Sequence, residues 1–309
     1  MPARIAFIGC GAMGAPMAER LIDAGHDVKI HDPNPAATAP LVKRGASAAR
    51  SPREAAAAAE IAFACLPSTE VSLAAALGAD GVSGCRSLAA YVEMSTIGSK
   101  TVKKIAEGLA KNGTVVLDAP VSGGPRGARA GTLSTMVAGE RVMFDRFKPL
   151  FETIARNVFY IGETPGLGQV TKLANNMISA AGMAAAFEAS AMAVKAGVDA
   201  RVLIDTVNAS TGRNSATMDK FPASILTRSF DYGGKISTMY KDVFLCLEEA
   251  RELKVPMWVG SNVVQLWFHA MTQGRGEEDY TALIKMIEDW AGVIVGGNES
   301  GPTTGRKPE

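Results

Sequence analysis

A glycine-rich loop between a strand and a helix is the feature that most constrains the fold. Residues 4–8 form a short apolar run, which is typical of a buried strand. Gly9, Gly11 and Gly14 follow in the spacing G-x-G-x-x-G, and a helical pattern over residues 12–24 stops at Gly25. Such glycines permit a tight turn, close approach of the backbone to a pyrophosphate, and packing of the helix on the strand. The loop therefore predicts a dinucleotide site at the helix N-terminus.

Asp32 extends this prediction to the ribose of the dinucleotide. A second apolar run, residues 28–31, ends at Asp32, which lies 18 residues after Gly14 (32 minus 14). A carboxylate near this position binds the adenosine ribose hydroxyls in dinucleotide-binding folds. The alternative is that the glycines form an ordinary turn and that Asp32 only opens the Pro33-Asn34-Pro35 turn.

Strand and helix patterns continue to alternate as far as residue 161, which predicts an α/β fold with an open parallel sheet. Residues 51–54, Ser-Pro-Arg-Glu, have the pattern of a capping box at the start of one helix. Because ligands bind outside the carboxyl ends of such strands, the segments that follow them should border one crevice with the glycine loop. Any one of these segments could also be an ordinary turn. The predicted strands are 61–66, 91–94, 115–117, 136–138 and 157–161, and the segments are Leu66-Pro67, Ser95-Thr96 and 118–124.

Ser122, Gly123 and Gly124 predict an anion site within this crevice. Two glycines beside a hydroxyl leave backbone N–H groups unshielded, and such a nest binds anions that include carboxylates. A plain hairpin loop is the competing interpretation.

After residue 161 the strand patterns stop, and helical patterns predict an all-α second domain. The longest pattern covers residues 169–196 and follows a break at Gly162, Pro165 and Gly166. Lys172 and Asn176 are four residues apart on it, so they share one face and could bind one small polar ligand. The alternative is a solvated lysine and asparagine. We predict a first domain over 1–163, a second over 164–296 and a disordered tail over 297–309.

Composition excludes several classes of function. The net charge of +1 gives no reason to expect a nucleic-acid partner. The four cysteines are scattered, and the three histidines are far apart in sequence, so we expect reduced thiols in a cytoplasmic protein and no metal site. The apolar run over residues 173–194 is interrupted by Asn175, Asn176 and Glu188, so we expect a buried interdomain or intersubunit helix rather than a membrane span.

Four sequence blocks together resemble the β-hydroxyacid dehydrogenase family, which contains 3-hydroxyisobutyrate dehydrogenase and tartronate semialdehyde reductase. The blocks are 9–26 (the cofactor signature), 118–132 (the substrate loop), 166–176 (the catalytic block) and Lys241-Asp242 in a later helix. From the residues alone, adjacent Lys241 and Asp242 would be solvent charges, because neighbouring residues diverge on a helix.

The resemblance implies a Rossmann-type doubly wound sheet followed by an all-α domain, joined by the long interdomain helix. It implies an NAD-dependent enzyme that interconverts a small 3-hydroxy acid and its semialdehyde or ketone. Independently of the resemblance, the long helix is rich in Ala and Met, which indicates a subunit interface, so we expect a homodimer or homotetramer. Lys172 would be the catalytic residue. Substrate would contact Ser122, Gly123, Gly124, Asn176 and Thr96, and cofactor would contact Gly9, Gly11, Ala12, Met13, Gly14, Asp32, Leu66, Pro67, Thr96 and Lys241.

Three positions refine what the resemblance implies. Pro33 stands where members that prefer NADP tend to have an arginine, which favours NAD. Cys10 replaces the usual leucine, a minor change, and Gly234 replaces an aromatic residue near the nicotinamide pocket, so we expect a roomier pocket. The alternatives are an imine reductase, an enzyme class that typically lacks the catalytic lysine, and a dinucleotide-binding protein without catalysis.

Overall fold

The computed structural model describes residues 2–297. The chain forms two compact units, Met1–Leu173 and Ala174–Glu309. The division falls inside a long helix, Leu167–Lys195, whereas the boundary predicted at 163/164 lies in the turn before that helix. The predicted disordered tail lies outside the described residues, except for Gly297.

The first unit is built on one nine-stranded sheet. Its order is β3-β2-β1-β4-β5-β6-β8-β7, with β9 paired to β8. The strands from β3 to β6 are parallel, β8 is antiparallel to β6 and β7, and β9 is parallel to β8. The order of the parallel part is the dinucleotide-binding order, which reverses direction between β1 and β4. The strands are β1 (Arg4–Ile8), β2 (Asp27–His31), β3 (Ser47–Ala48), β4 (Ile61–Ala64), β5 (Ala90–Glu93), β6 (Val115–Asp118), β7 (Val121–Ser122), β8 (Leu133–Ala138) and β9 (Ala155–Gly162).

Helices cover both faces of this sheet, which explains why the strands are continuous apolar runs. In β1, Ile5 and Phe7 pack into one core, whereas Ala6 and Ile8 pack into the other. Helices α1 and α7 contribute to the first core, and α3, α4 and α5 contribute to the second. The arrangement confirms the predicted doubly wound α/β fold. The helices are α1 (Gly14–Asp23), α2 (Pro35–Lys43), α3 (Pro52–Ala56), α4 (Thr69–Leu77), α5 (Ser99–Ala110), α6 (Gly124–Ala130) and α7 (Arg141–Ile154), with a 3₁₀ turn at Val82–Gly84.

The second unit is helical, as predicted. Helix α8 begins in the first unit and continues into the second, and Gly197 follows its end with a φ of 97°. Asp199 caps the next helix, because its carboxylate accepts the N–H groups of Arg201 and Val202 at 2.9 Å. The elements are α8 (Leu167–Lys195), α9 (Ala200–Asn208), a π-helix (Ala216–Ile225), α10 (Ile236–Glu252), α11 (Trp258–Thr272), a 3₁₀ turn (Tyr280–Leu283) and α12 (Ile284–Ala291).

Several elements lie where the sequence analysis predicted none. They are α4, α5, α6, β3, β7 and the π-helix. In α4 the buried side chains are Ser72, Ala75 and Ala76, so its inner face is barely more apolar than its outer face. Helix α6 begins at Gly124, so the segment at Gly123 and Gly124 is not the plain hairpin loop that was the competing interpretation.

Candidate active site

The three glycines of the loop after β1 meet two different local requirements. A Cβ on Gly9 would lie 2.2 Å from the carbonyl oxygen of Cys65, and a Cβ on Gly14 would lie 1.9 Å from the carbonyl oxygen of Gly9. Beyond its chain neighbours, no heavy atom among residues 2–297 lies within 4 Å of a Cβ built on Gly11. The first and third glycines thus permit close packing, while the second leaves open space for a ligand. This loop fits the pyrophosphate of a dinucleotide.

Asp32 lies directly beside this loop. Its Oδ2 accepts the N–H of Cys10 at 2.8 Å, and its Oδ1 accepts the N–H of Asn34 at 2.8 Å. The carboxylate is only partly buried, and each oxygen keeps a further lone pair for a ribose hydroxyl. Asp32 is therefore more than the first residue of a turn, because it also holds the glycine loop against the end of β2.

The carboxyl ends of β4 and β5 form the next part of the sheet edge that borders the glycine loop. The N–H of Leu66 donates to Ser95 Oγ at 2.7 Å, which joins the two segments that the sequence analysis expected at one crevice. Pro67 is exposed and Thr96 is half-buried. Both strands are parallel neighbours in the sheet, so these residues border the same edge as the glycine loop.

The predicted anion loop has the backbone conformation that glycine allows. Gly123 and Gly124 have φ values of 128° and 63°, and both are exposed. Ser122 ends β7 and is half-buried beside them. No heavy atom of the described chain beyond the neighbours lies within 4 Å of a Cβ on Gly124, so conformation rather than space requires glycine there. The backbone N–H groups of this turn lie at the surface, where an anion can reach them.

Asp118 fixes the first turn of α8 to the end of β6. It is fully buried, and its Oδ2 accepts the N–H groups of Gly166 at 3.0 Å and Gln169 at 2.9 Å. Burial raises the pKa of Asp118 to about 6, although hydrogen bonds from Gln169 and Gly166 favour the ionised form. The carboxylate thus satisfies N–H groups that a helix start leaves without intrahelical partners.

Gln169 completes this attachment with every polar group of its side chain. Its Nε2 donates to Asp118 Oδ1 at 2.8 Å and to the Ser95 carbonyl at 2.9 Å. Its Oε1 accepts the N–H groups of Ile97 at 2.9 Å and Gly98 at 3.1 Å. Gln169 is fully buried, so these four bonds tie α8 to the ends of β5 and β6, three residues before Lys172.

A second buried carboxylate, Glu93, extends the same network toward the cofactor edge. Its Oε1 accepts the N–H of Ser95 at 2.9 Å, and its Oε2 accepts the hydroxyl of Tyr91 at 3.1 Å. Burial raises the pKa of Glu93 to about 7, despite the hydrogen bonds from Ser95 and Tyr91. Ser95 in turn accepts the N–H of Leu66, so the network reaches from β4 to the start of α8.

Lys172 and Asn176 are both buried on α8, one helical turn apart. Asn176 Nδ2 donates to Asp242 Oδ2 at 2.6 Å, and Asn175 Nδ2 donates to Asn176 Oδ1 at 3.0 Å. Asp242 is 4% exposed, and the ammonium of Lys241 lies 2.8 Å from its Oδ1. The interpretation of this pair as solvent charges is therefore wrong for Asp242, because it orients Asn176 from α10.

The space beside Gly234 is already filled. A Cβ on Gly234 would lie 2.1 Å from Cε1 of Tyr280, whose N–H donates to the Gly234 carbonyl at 2.7 Å. The ring of Tyr280 also lies against that of Tyr232, with ring centroids 5.9 Å apart. The missing side chain at residue 234 therefore leaves no empty volume at its own backbone, contrary to the expectation of a roomier pocket at that point.

The structure groups the predicted residues within each unit. In the first unit, the loop 9–14, Asp32, Leu66, Pro67 and Thr96 lie along the carboxyl edge of the sheet, and Ser122 to Gly124 follow β6. In the second unit, Asn176 and Lys241 meet at Asp242. Gln169 and Glu93 were not predicted from the sequence, although a glutamine at the start of a predicted helix is a possible partner for nearby strand ends.

Comparison with known proteins finds two matching family models. The NAD binding domain of 6-phosphogluconate dehydrogenase matches residues 4–162. The model described as NAD-binding of NADP-dependent 3-hydroxyisobutyrate dehydrogenase matches residues 166–287. The two matches divide the chain close to the start of α8.

Known enzymes are similar along nearly the whole chain. The chain is 34% identical to 2-(hydroxymethyl)glutarate dehydrogenase of Eubacterium barkeri over 96% of its own length and 98% of the relative's. It is 37% identical to 3-hydroxyisobutyrate dehydrogenase of Pseudomonas aeruginosa over 91% and 97% of the two chains. The solved structure of Mycobacterium tuberculosis 3-hydroxyisobutyrate dehydrogenase with L-serine superposes with a TM-score of 0.84 at 30% identity, over 93% and 99% of the two chains. Similarity on this scale covers both units and every block singled out above.

Proposed function

We propose that this chain, which belongs to the β-hydroxyacid dehydrogenase family, uses NAD and Lys172 to interconvert a small 3-hydroxy acid and its semialdehyde or ketone. The observation that carries the proposal is the placement of Lys172. It is buried one turn before Asn176, on a helix that Asp118 and Gln169 fix to the carboxyl edge of a dinucleotide-binding sheet.

The cofactor proposed is NAD rather than NADP. The open space at Gly11 suits the pyrophosphate, and Asp32 can accept hydrogen bonds from both ribose hydroxyls. The same carboxylate would repel a 2′-phosphate, and Pro33 offers no positive charge to bind one. Arg44 is engaged elsewhere, since its guanidinium donates to both carboxylate oxygens of Asp23 at 2.8 and 2.9 Å.

The reaction divides between the cofactor and the side chains of this chain. When bound, the nicotinamide accepts a hydride from the carbinol carbon or returns one to the carbonyl. Nζ of Lys172 accepts the hydroxyl proton in oxidation and donates it in reduction. Asn176, held by Asp242, keeps one amide hydrogen for the substrate oxygen. Ser122 and the N–H groups of Gly123 and Gly124 hold the substrate carboxylate and so orient the carbinol.

The identity of the hydroxy acid is a finer question. The names of the relatives include a monocarboxylate, 3-hydroxyisobutyrate, and a dicarboxylate, 2-(hydroxymethyl)glutarate. Both compounds carry one carboxylate near the carbinol, and Ser122 to Gly124 would hold this carboxylate. The part of the substrate farther from the carbinol therefore decides among them.

We also propose that the chain is a cytoplasmic homodimer or homotetramer. By length and composition α8 is apolar enough to cross a membrane, as core helices of soluble proteins also are. Of its most apolar 18-residue stretch, 44% is buried. Ile178 and Met192 are 73% and 69% exposed on it, which suits a contact with a second copy. The four free cysteines suit a reducing compartment.

Replacement of Lys172 tests the function. The variant Lys172→Ala should lose about 10²–10⁴-fold in kcat because the proton-transfer group is gone, while the dissociation constant for NAD stays close to that of the wild type. Activity would be measured as absorbance of reduced nicotinamide with a panel of 3-hydroxy acids and their aldehydes.

Lys195→Ala provides the matched control, because Lys195 is an exposed lysine at the far end of the same helix. A Lys172→Ala enzyme that kept most of the wild-type kcat would remove Lys172 from the proton-transfer role. A wild-type enzyme that bound NAD but turned over no hydroxy acid would favour a dinucleotide-binding protein without catalysis.

A further inference from the structure

Among the described residues, one buried lysine of the second unit lies beyond ion-pair distance of every carboxylate. Lys220 lies in the π-helix and is only 5% exposed. Its ammonium donates to the Ser215 carbonyl at 3.3 Å and to Ser215 Oγ at 3.1 Å, and it lies 5.4 Å from the centroid of the Tyr232 ring. Within residues 2–297, no carboxylate oxygen lies within 4.0 Å of it.

Neutral partners only partly compensate a buried positive charge. Removal of an ammonium from water is unfavourable unless an anion or several hydrogen-bond acceptors replace the water. The contacts of Lys220 are a carbonyl, a hydroxyl and an aromatic face, all of them uncharged. Burial accordingly lowers the pKa of Lys220, and the exposed Asp219 only partly opposes this. An anionic ligand would supply the missing charge.

The position of Lys220 connects it to the face of α8 that carries the active-site residues. Ser215 Oγ, which contacts the ammonium, lies 3.4 Å from Ser179 Oγ on α8. Ser179 comes three residues after Asn176 and seven after Lys172, and this spacing places all three on one helix face. Ser179 lies roughly 10 Å beyond Lys172 along the helix axis, which is about two turns.

The segment that carries Ser215 is held in a defined conformation. The side chain of Asn214 accepts the N–H groups of Ala216 at 2.8 Å and Thr217 at 3.3 Å, and the Asn214 N–H donates to Thr217 Oγ1 at 3.0 Å. Ser215 is exposed, so a ligand can reach its hydroxyl. The three polar groups are thus two hydroxyls and one buried ammonium, all of which donate hydrogen bonds.

We propose that Lys220, Ser179 and Ser215 form a subsite for a second anionic group of the substrate, so that the preferred substrate is a hydroxy dicarboxylate. This inference rests on the proposed function, since it assumes that the carbinol lies beside Lys172 on α8. The second carboxylate lies farther along α8 and accepts hydrogen bonds from the ammonium and the two hydroxyls. A monocarboxylate substrate would leave Lys220 without a counter-ion.

The test compares two compounds that differ only in the distal group. These are 2-(hydroxymethyl)glutarate and 2-(hydroxymethyl)pentanoate, in which a methyl group replaces the distal carboxylate. The wild type should favour the dicarboxylate, and Lys220→Met should lower kcat/KM for it by about 10- to 100-fold, the range for a charge-assisted hydrogen bond. The same substitution should leave kcat/KM for the pentanoate nearly unchanged. Methionine suits this variant because it preserves most of the buried stem of the side chain.

Ser215→Ala gives a second variant at an exposed position, where misfolding is not a concern. It should weaken the dicarboxylate preference by a smaller factor than Lys220→Met. Calorimetric binding of both compounds to the NAD complex gives a readout independent of turnover. A Lys220→Met enzyme with an unchanged preference and unchanged binding of the dicarboxylate would overturn the subsite. Failure of the wild type to turn over either compound would count against the proposed function, and the calorimetric comparison would still decide the subsite.

Discussion

Gln169 should control both the stability of the first unit and the placement of Lys172. Replacement by leucine would leave four buried groups without their partner: the N–H groups of Ile97 and Gly98, the Ser95 carbonyl, and one oxygen of Asp118. A buried polar group left unsatisfied costs about 1–3 kcal/mol, so the four together give a loss on the order of 4 kcal/mol at the low end. This is a large fraction of the roughly 5–15 kcal/mol that stabilises a typical domain.

The isosteric variant Gln169→Glu removes the donor group of residue 169 while it keeps the size and shape of the side chain. Its carboxylate can still accept the N–H groups of Ile97 and Gly98, but its second oxygen would face Asp118 Oδ1 and the Ser95 carbonyl. Two facing carboxylates disfavour double ionisation, so one proton would be shared between residues 118 and 169. That proton restores a donor at low pH, and it is lost as the pH rises.

Urea denaturation and kcat measured from pH 5 to pH 8.5 test this reasoning. Gln169→Glu should approach wild-type stability at pH 5 and lose stability and kcat toward pH 8.5. Displacement of a catalytic group by about 1 Å can cost 10²-fold in rate. The fold-change in kcat should therefore be larger than the fold-change in KM for NAD. Gln265→Glu, on the exposed face of α11, is the control. A Gln169→Glu enzyme with the pH dependence of the wild type in both measurements would refute the role assigned to Gln169.

Two further predictions concern the buried carboxylate of Glu93 and the carboxylate of Asp32, which we propose contacts the cofactor. The pKa of Glu93 is raised to about 7, so its stabilising contribution is full below the unfolded value of 4.5 and is lost as the pH rises through about 7. Glu93→Gln should therefore gain stability relative to the wild type between pH 5 and pH 8.5, by up to about 3 kcal/mol in urea denaturation, and a difference independent of pH would contradict this. Asp32→Ser should lower the ratio of kcat/KM for NAD over NADP by about 100-fold, from the repulsion of a phosphate near 4 Å at an effective dielectric of about 20. The ratio is the readout because loss of the Asp32 contact to the Cys10 N–H should weaken the binding of both cofactors. A wild-type enzyme that already prefers NADP would show that the assignment of NAD as cofactor is wrong.

The fold was largely predictable because its main elements carry local signals. Buried parallel strands such as β1 are apolar throughout, and glycines or capping residues mark several helix ends, as Gly25 and Asp199 do. Helix α5 was missed although Val102, Ile105 and Leu109 have helical spacing and are buried, so its signal was present in the sequence. The π-helix had no comparable signal, because its wider turns do not follow the standard helical period.

The contacts of the candidate site could not be predicted in the same way. Gln169 and Asp118 are separated by 51 residues, and Gln169 and Ser95 by 74. Such contacts depend on which strands become neighbours, and a single sequence does not state that order. Lys220 was missed for a related reason, because a lone lysine becomes informative only when its burial and its uncharged partners are known.

The presence of two buried carboxylates, Glu93 and Asp118, is better explained by the backbone segments that they hold in place than by a contribution to stability. Both Glu93 and Asp118 have raised pKa values, so their burial is unfavourable to the folded state near neutral pH. Both nevertheless accept backbone N–H groups at the carboxyl edge of the sheet: Glu93 from Ser95, and Asp118 from the start of α8. Asp118 also lies four residues before Ser122, so one strand end fixes both the proposed carboxylate loop and the helix of Lys172. A chain selected only for stability would replace these acids with apolar residues, whereas a chain in which Lys172 has the proposed proton-transfer role gains from keeping them, because they hold its helix in place.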